Sequence, residues 1–340
     1  MKIEQELRER GIALAGNDAV LPYAVEPLDV RGRAVYLGPM LDRILDRHDY
    51  PVAVSRLLAE AVTLVALLGT SLKFNGRFTL QTQSDGPVSM LVVDFETPDA
   101  IRACAQFDAD AVAASEAEGR TDAASLLGRG HLAMTVDQGS HMQRYQGIVA
   151  LDGIGLEEVA HRYFDQSEQI PTVVRLAVGE ILDRQEGERP RHRWRAGGVL
   201  AQFLPEAPER MRKPDLHPGD APEHAAEHHF EEDDAWVEAR TLVETLRDDE
   251  LIDPELSVEK VLFRLFHERG VRIFPAQAIE DRCRCSRDRI ESMLKGFTVE
   301  EINDMTVEDG GIDVTCHFCN SRYDFKAEAI LAAKKDEQAP

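Results

Sequence analysis

The chain has 340 residues, 43% of them apolar, and a formal net charge of −23. That length suggests two or three domains, with enough apolar content for a real core. The acidity excludes nucleic acid as the main partner, because the net field repels a polyanion.

The opening stretch, MKIEQELRERGIALAGNDAV, is mostly charged and does not read as a signal peptide. The most apolar helix candidate, VAVSRLLAEAVTLVALLG, is interrupted by Arg56 and Glu60 and reads as too short and too charged to span a bilayer. The expected location is the cytoplasm, with no membrane partner, and thiols there are normally reduced.

Residues 1 to about 205 read as one mixed α/β unit. A helix over 52–68, apolar on most sides and ending at Gly69, is expected to pack against sheets. FTLQTQS at 78–84 and PVSMLVV at 87–93 read as a hairpin around Asp85-Gly86. Cys104, in IRACAQF, fits a strand or core position as a small hydrophobe. HLAMTVD at 131–137 places Leu132, Met134 and Val136 on one face, and YQGIVAL at 145–151 is its expected partner. GLEEVAHRYFDQSEQ follows as a helix, then TVVRLAV at 172–178 and GGVLAQFL at 197–204 as strands. Gly197 and Gly198 are expected to mark a strand bend. No repeat and no glycine-rich nucleotide loop is visible.

Near residue 205 the composition turns polar, proline-bearing and charged, and a flexible stretch is expected to about 233. From Glu206 to Asp253 there are 16 acidic residues against 5 basic ones. His217, His224, His228 and His229 lie here and read as solvated linker residues rather than a metal tract. Trp236, Val237, Leu242, Val243 and Leu246 fall at helical spacing, which predicts an amphipathic helix docked on the first domain. A second helix is predicted from Asp253 as cap and Pro254 as first residue, carrying Leu256, Val261, Leu262, Leu265 and Phe266 to near Gly270.

The last sixty residues hold four of the five cysteines: Cys283 and Cys285 in DRCRCS, Cys316 and Cys319 in VTCHFCNS. Ser286 can cap a helix bearing Ile290, Met293 and Leu294, and Thr298 with Glu301 forms a capping box. GGIDVTCHFCNSRYDF reads as strand, C-x-x-C turn and returning strand. So small a unit buries little apolar surface and needs a metal or a crosslink. Four thiolates suit a tetrahedral zinc ion, and with the shell filled by sulfur His317 reads as a surface residue. A thioredoxin-like motif would open a helix after Cys319, and a nucleobase deaminase would need proline before Cys316, where Thr315 stands. Four sulfurs leave no open position for a catalytic zinc, so no catalytic residue is assigned.

These segments resemble the redox-regulated 33 kDa chaperonins of bacteria, ATP-independent holdases activated by oxidative stress. The resemblance is carried by LFRLFHERGVRIFPAQAIEDRCRCSRDRIESML and EDGGIDVTCHFCNSRYDF, and earlier by LKFNGRFTLQTQSDGPVSMLVVDF, RYQGIVAL, YFDQSEQIPT and AGGVLAQFLP. It implies an α/β fold of the α+β type. Residues 1–205 would form the client-binding and dimerisation domain, 206–270 an acidic helical linker, and 271–340 a zinc-binding redox switch. It implies one Zn2+ per reduced chain, held by Cys283, Cys285, Cys316 and Cys319. These would also be the redox-active residues, forming Cys283–Cys285 and Cys316–Cys319 disulfides on oxidation. The implied partners are unfolded clients, a second copy when oxidised, and ATP-driven foldases. The stretch between Arg212 and Asp234 looks longer than is common in the family. Two alternatives stay open: a constitutive interaction module with a purely structural zinc, and a thiol oxidoreductase.

Overall fold

The computed structural model describes residues 14–71, 75–139, 144–183, 191–205, 232–307 and 309–337. The expected flexible stretch and its histidines His217, His224, His228 and His229 lie outside the described residues. In chain order the strands are β1 (Ala19–Val25), β2 (Val30–Leu37), β3 (Arg77–Ser84), β4 (Met90–Glu96), β5 (Ala100–Gln106), β6 (Gly130–Asp137) and β7 (Tyr145–Ala150). There follow β8 (Thr172–Asp183), β9 (Arg191–Phe203), β10 (Arg272–Ile273), β11 (Gln277–Ala278), β12 (Glu280–Asp281), β13 (Gly311–Thr315) and β14 (Arg322–Lys326). One sheet runs β10-β1-β2-β9-β8, with β11 also on β1, and the other runs β12-β5-β4-β3-β6-β7. All pairings are antiparallel except β12 with β5. β13 and β14 stand apart as a hairpin. This is the expected α+β mixture.

The helix Val52–Gly69 lies between the two large sheets, with fifteen of its eighteen residues buried. Its leucines and valines join Leu37, Leu80, Phe95, Val174 and Leu200 in one core. By length and composition alone the helix is apolar enough to cross a bilayer. Burial on all sides is the reason for its apolarity here. The helix ends at Gly69, as expected, and Thr70 follows as its C-cap, its N–H meeting the Ala66 carbonyl. Gly69 also serves packing, since a Cβ there would fall 2.5 Å from the Phe95 ring.

Local signals placed most elements and missed some turn details. β3 and β4 pair as expected, but a five-residue loop, 85–89, joins them. Asp85 and Gly86 donate their N–H groups to Arg129 and Leu127 carbonyls, so this segment serves a neighbouring loop rather than a two-residue turn. β8 and β9 extend well beyond their apolar cores and pair along their whole length.

Among its described residues the middle region, expected as a linker, forms three helices, Asp234–Glu244, Asp248–Ile252 and Val258–Phe266. They cover the outer face of the first sheet. Trp236, Val243, Leu246, Leu251, Val261, Leu262, Leu265 and Phe266 pack there against Leu21, Tyr23, Val25, Tyr36, Val199 and Phe203. The third helix is capped by Ser257, whose hydroxyl accepts from the Lys260 N–H at 3.4 Å, not by Asp253. Asp253 accepts from the Glu255 N–H instead and shapes the turn before it. Gly197 is no strand bend, because β9 continues through it. A Cβ there would sit 2.1 Å from the Leu251 carbonyl oxygen, so glycine admits the linker backbone onto the sheet. Gly197→Ala is expected to displace 248–252, read as lost amide protection there with the central helix unchanged.

Glu60 reaches from the central helix toward this interface. Burial, aided by Glu157, Asp248 and Asp122 and opposed by Arg56, pushes its carboxyl up to about 7. A pKa raised by folding stabilises most below the ordinary carboxylate range, and that gain is lost as pH rises through about 7. Glu60→Gln should therefore raise Tm by about 2–4 °C at pH 8 and by much less at pH 5.

Candidate metal and redox centre

The first cysteine pair lies where the chain leaves the second sheet. β12 pairs with β5 through Glu280↔Ala100 and Asp281↔Ile101, and the Arg282 N–H continues to the Ile101 carbonyl. Cys283 and Cys285 follow, before the helix Arg287–Gly296. Ser286 caps that helix by accepting from the Arg289 N–H at 3.3 Å, as the sequence predicts. The second pair sits in the β13–β14 loop. The Cys316 N–H meets the Ser321 carbonyl at 2.9 Å, and the Asn320 N–H meets the Cys316 carbonyl at 2.8 Å. Asn320 takes φ +55°, which asparagine tolerates, and the turn presents both sulfurs on one side.

The four sulfurs lie within 4.8 Å of one another. Cys283 and Cys316 are 3.7 Å apart, Cys285 and Cys319 3.2 Å. A tetrahedral ion with sulfurs at ~2.3 Å sets them ~3.8 Å apart, so the residues present fit a single metal ion. His317 is exposed and stands outside the cluster. Cys104 is buried in β5, where burial pushes its thiol up to about 12 and keeps it protonated.

The centre ties together a very small core. Seven buried residues, Ile290, Leu294, Ile302, Ile312, Phe325, Ala327 and Ile330, form it. The Thr298–Glu301 capping box is present, with N–H to side-chain bonds of 2.7 and 3.2 Å. A helix at Ala327–Glu337, not anticipated from the sequence, closes the unit.

The environment divides the sulfurs. Burial pushes the Cys285 thiol up to about 12, despite a hydroxyl bond from Tyr323 at 3.2 Å. Burial also opposes ionisation of Cys319, but contacts with Ser321 and Cys285 outweigh it and bring that thiol down to about 7. Tyr323 and Ser321 were not singled out in the sequence. Their signal is position on the returning strand and its turn, beside the sulfurs.

The profile of the family described as Hsp33 protein matches residues 18–326. The chain belongs to the Hsp33 family. A 33 kDa chaperonin of Caulobacter vibrioides is 44% identical over 308 residues, covering 90% of this chain and 94% of the relative. One from Escherichia coli O7:K1 is 32% identical over 320 residues, covering 94% and 96%. The crystal structure of the Hsp33 homologue from Thermotoga maritima superposes with a TM-score of 0.69 at 21% identity, covering 94% of this chain and 99% of that one, and shows the shared fold. As an Hsp33 protein, the chain is a redox-regulated holdase chaperone of the cytoplasm and not an enzyme. The four cysteines are placed to coordinate one metal ion.

Replacing Cys283 by serine leaves three sulfurs for the ion. Metal content per reduced chain, measured by a chromogenic chelator, should fall from about one to well below half, with loss of amide protection across 287–330.

Proposed function

We propose that Cys283, Cys285, Cys316 and Cys319 are at once the zinc ligands and the redox-active thiols of this Hsp33 protein. The observation that carries the reading is the gathering of four sulfurs, from two separate loops, beside a core too small to hold itself. All-sulfur ligation favours zinc among the common divalent ions. Zinc, when bound, keeps the sulfurs as thiolates and crosslinks loop 283–285 to loop 316–319.

Thiolates are the species that peroxide attacks. Two thiolates and one hydrogen peroxide, with two protons, give one disulfide and two waters. Pairing within each loop, as Cys283–Cys285 and Cys316–Cys319, accords with the family resemblance. In the reduced arrangement sulfur contacts run between the loops, Cys283 to Cys316 at 3.7 Å and Cys285 to Cys319 at 3.2 Å. Disulfides within loops would therefore cut the crosslink. Each closes only a tiny ring and returns little stability.

The consequences run backward along the chain. We assign residues 271–340 to the switch, 206–270 to the linker, and 1–205 to client binding and dimerisation. The last linker helix leads into β10 and β11, which lie on β1, and then into the cysteines. Loss of order beyond 283 weakens that edge and with it the docking of the linker. Release of the linker uncovers Leu21, Tyr23, Val25, Tyr36, Val199 and Phe203, an apolar face suited to unfolded clients. The net charge of −23 keeps the loaded complex soluble. A second copy in the oxidised state, and ATP-driven foldases that receive clients, complete the proposed partners.

The test is aggregation of a heat-unfolded client, without ATP, followed by light scattering. Suppression should appear only after peroxide, together with metal release and faster amide exchange across 234–266. Equal suppression by the reduced protein would refute the switch.

A further inference from the structure

Both cysteine loops are gripped by side chains of the N-terminal body. Asp281, two residues before Cys283, has its side chain 1% exposed and forms a two-bond ion pair with the Arg47 guanidinium, one bond measuring 2.8 Å. The main-chain carbonyl of the same Arg47 accepts from the Asn320 side-chain amide at 2.9 Å, one residue after Cys319. The neighbouring His48 ring nitrogen lies 3.3 Å from the Phe318 carbonyl. On β5, the Arg102 guanidinium stacks 3.9 Å over the Phe318 ring, inside the C-x-x-C turn. Asp94 on β4 fixes that guanidinium with bonds of 2.9 and 2.5 Å, and the guanidinium also feels the Cys283 sulfur electrostatically. Arg284, between the first two cysteines, pairs with Glu96 on β4.

Such contacts do more than dock a domain. A fork-to-fork arginine–carboxylate pair fixes direction as well as distance. A guanidinium held flat on an aromatic ring does the same for the ring's backbone. Arg47 holds Asp281, on the strand that leads into the first loop, with its side chain and Asn320, just past the second, with its backbone, while Arg102 covers Phe318 and interacts electrostatically with Cys283. Each residue therefore spans the two loops whose separation the sulfur centre has to fix.

Resting on the reading that these four sulfurs hold the metal, we infer that Arg47 and Arg102 are positioning residues of the redox centre. They hold loops 283–285 and 316–319 at ligand spacing from outside. The body thereby sets how readily the centre opens, and the switch does not carry its threshold within its own residues alone.

The experiment uses the full-length, reduced, zinc-loaded chain and follows zinc transfer to an excess of a chromogenic chelator. Arg47→Ala and Arg102→Met should release zinc about tenfold faster than wild type, with Arg47→Lys falling between. Asn320→Gly keeps the left-handed turn, leaves the body untouched and removes one contact; a rise of about threefold is expected. Cobalt-loaded Arg47→Ala should show altered ligand-field bands, which general loss of stability would not produce. Release within twofold of wild type in Arg47→Ala, Arg102→Met and Asn320→Gly alike would overturn the inference while leaving the switch intact. If the wild-type chain binds no zinc, the ligand reading fails instead. Amide protection at 281–285 and 316–320 in the metal-free chain then decides: loss in Arg47→Ala supports the clamp, and no change rejects it.

Discussion

Everything in the C-terminal unit hangs on four sulfur atoms drawn from two loops. A core of only seven apolar side chains cannot by itself offset the ordering of nearly fifty residues. The crosslink supplies the remainder. Because it is built from oxidisable atoms, the stability of the unit becomes a function of the surrounding redox chemistry. Few other ways of holding a small domain together have that property, since leucines and hydrogen bonds are indifferent to peroxide.

The linker answers a different need. The first sheet is apolar on both faces: one packs on the central helix, the other on the linker helices. On the proposed function the three short helices are the removable cover of that second face, and their construction accords with release. None exceeds eleven residues, and Glu259 carries a buried carboxylate oxygen with no hydrogen-bond partner. An unsatisfied buried oxygen subtracts from docking strength. The same face would aggregate if left open at rest, so its cover is as necessary as its release.

How much of this could be read in the sequence depended on range. Caps, hairpins and the cysteine turn are local, and Ser286, the Thr298–Glu301 box and the Cys316–Asn320 turn formed as their residues dictate. The four ligand candidates were legible because cysteine is rare elsewhere in the chain. β1 and β2 were not legible. Both faces of AVLPYAV are buried, so no alternation survives, and Pro22 argues against a strand. Gly197 misled for a related reason: it answers to a linker carbonyl brought close only by the fold. Least legible was the grip on the cysteine loops, since Arg47 and Asp281 stand 234 positions apart and neither belongs to a motif.

The short strand β12 has a further meaning. It fastens the chain to β5 immediately upstream of Cys283, and β10 and β11 fasten it again to β1. A tail that has lost its shape is thus leashed a few residues from its own berth. Its return after reduction is a local search by a tethered segment, governed by a high effective concentration instead of bulk encounter. Reversibility is in this sense written into the stitching of three two-residue strands.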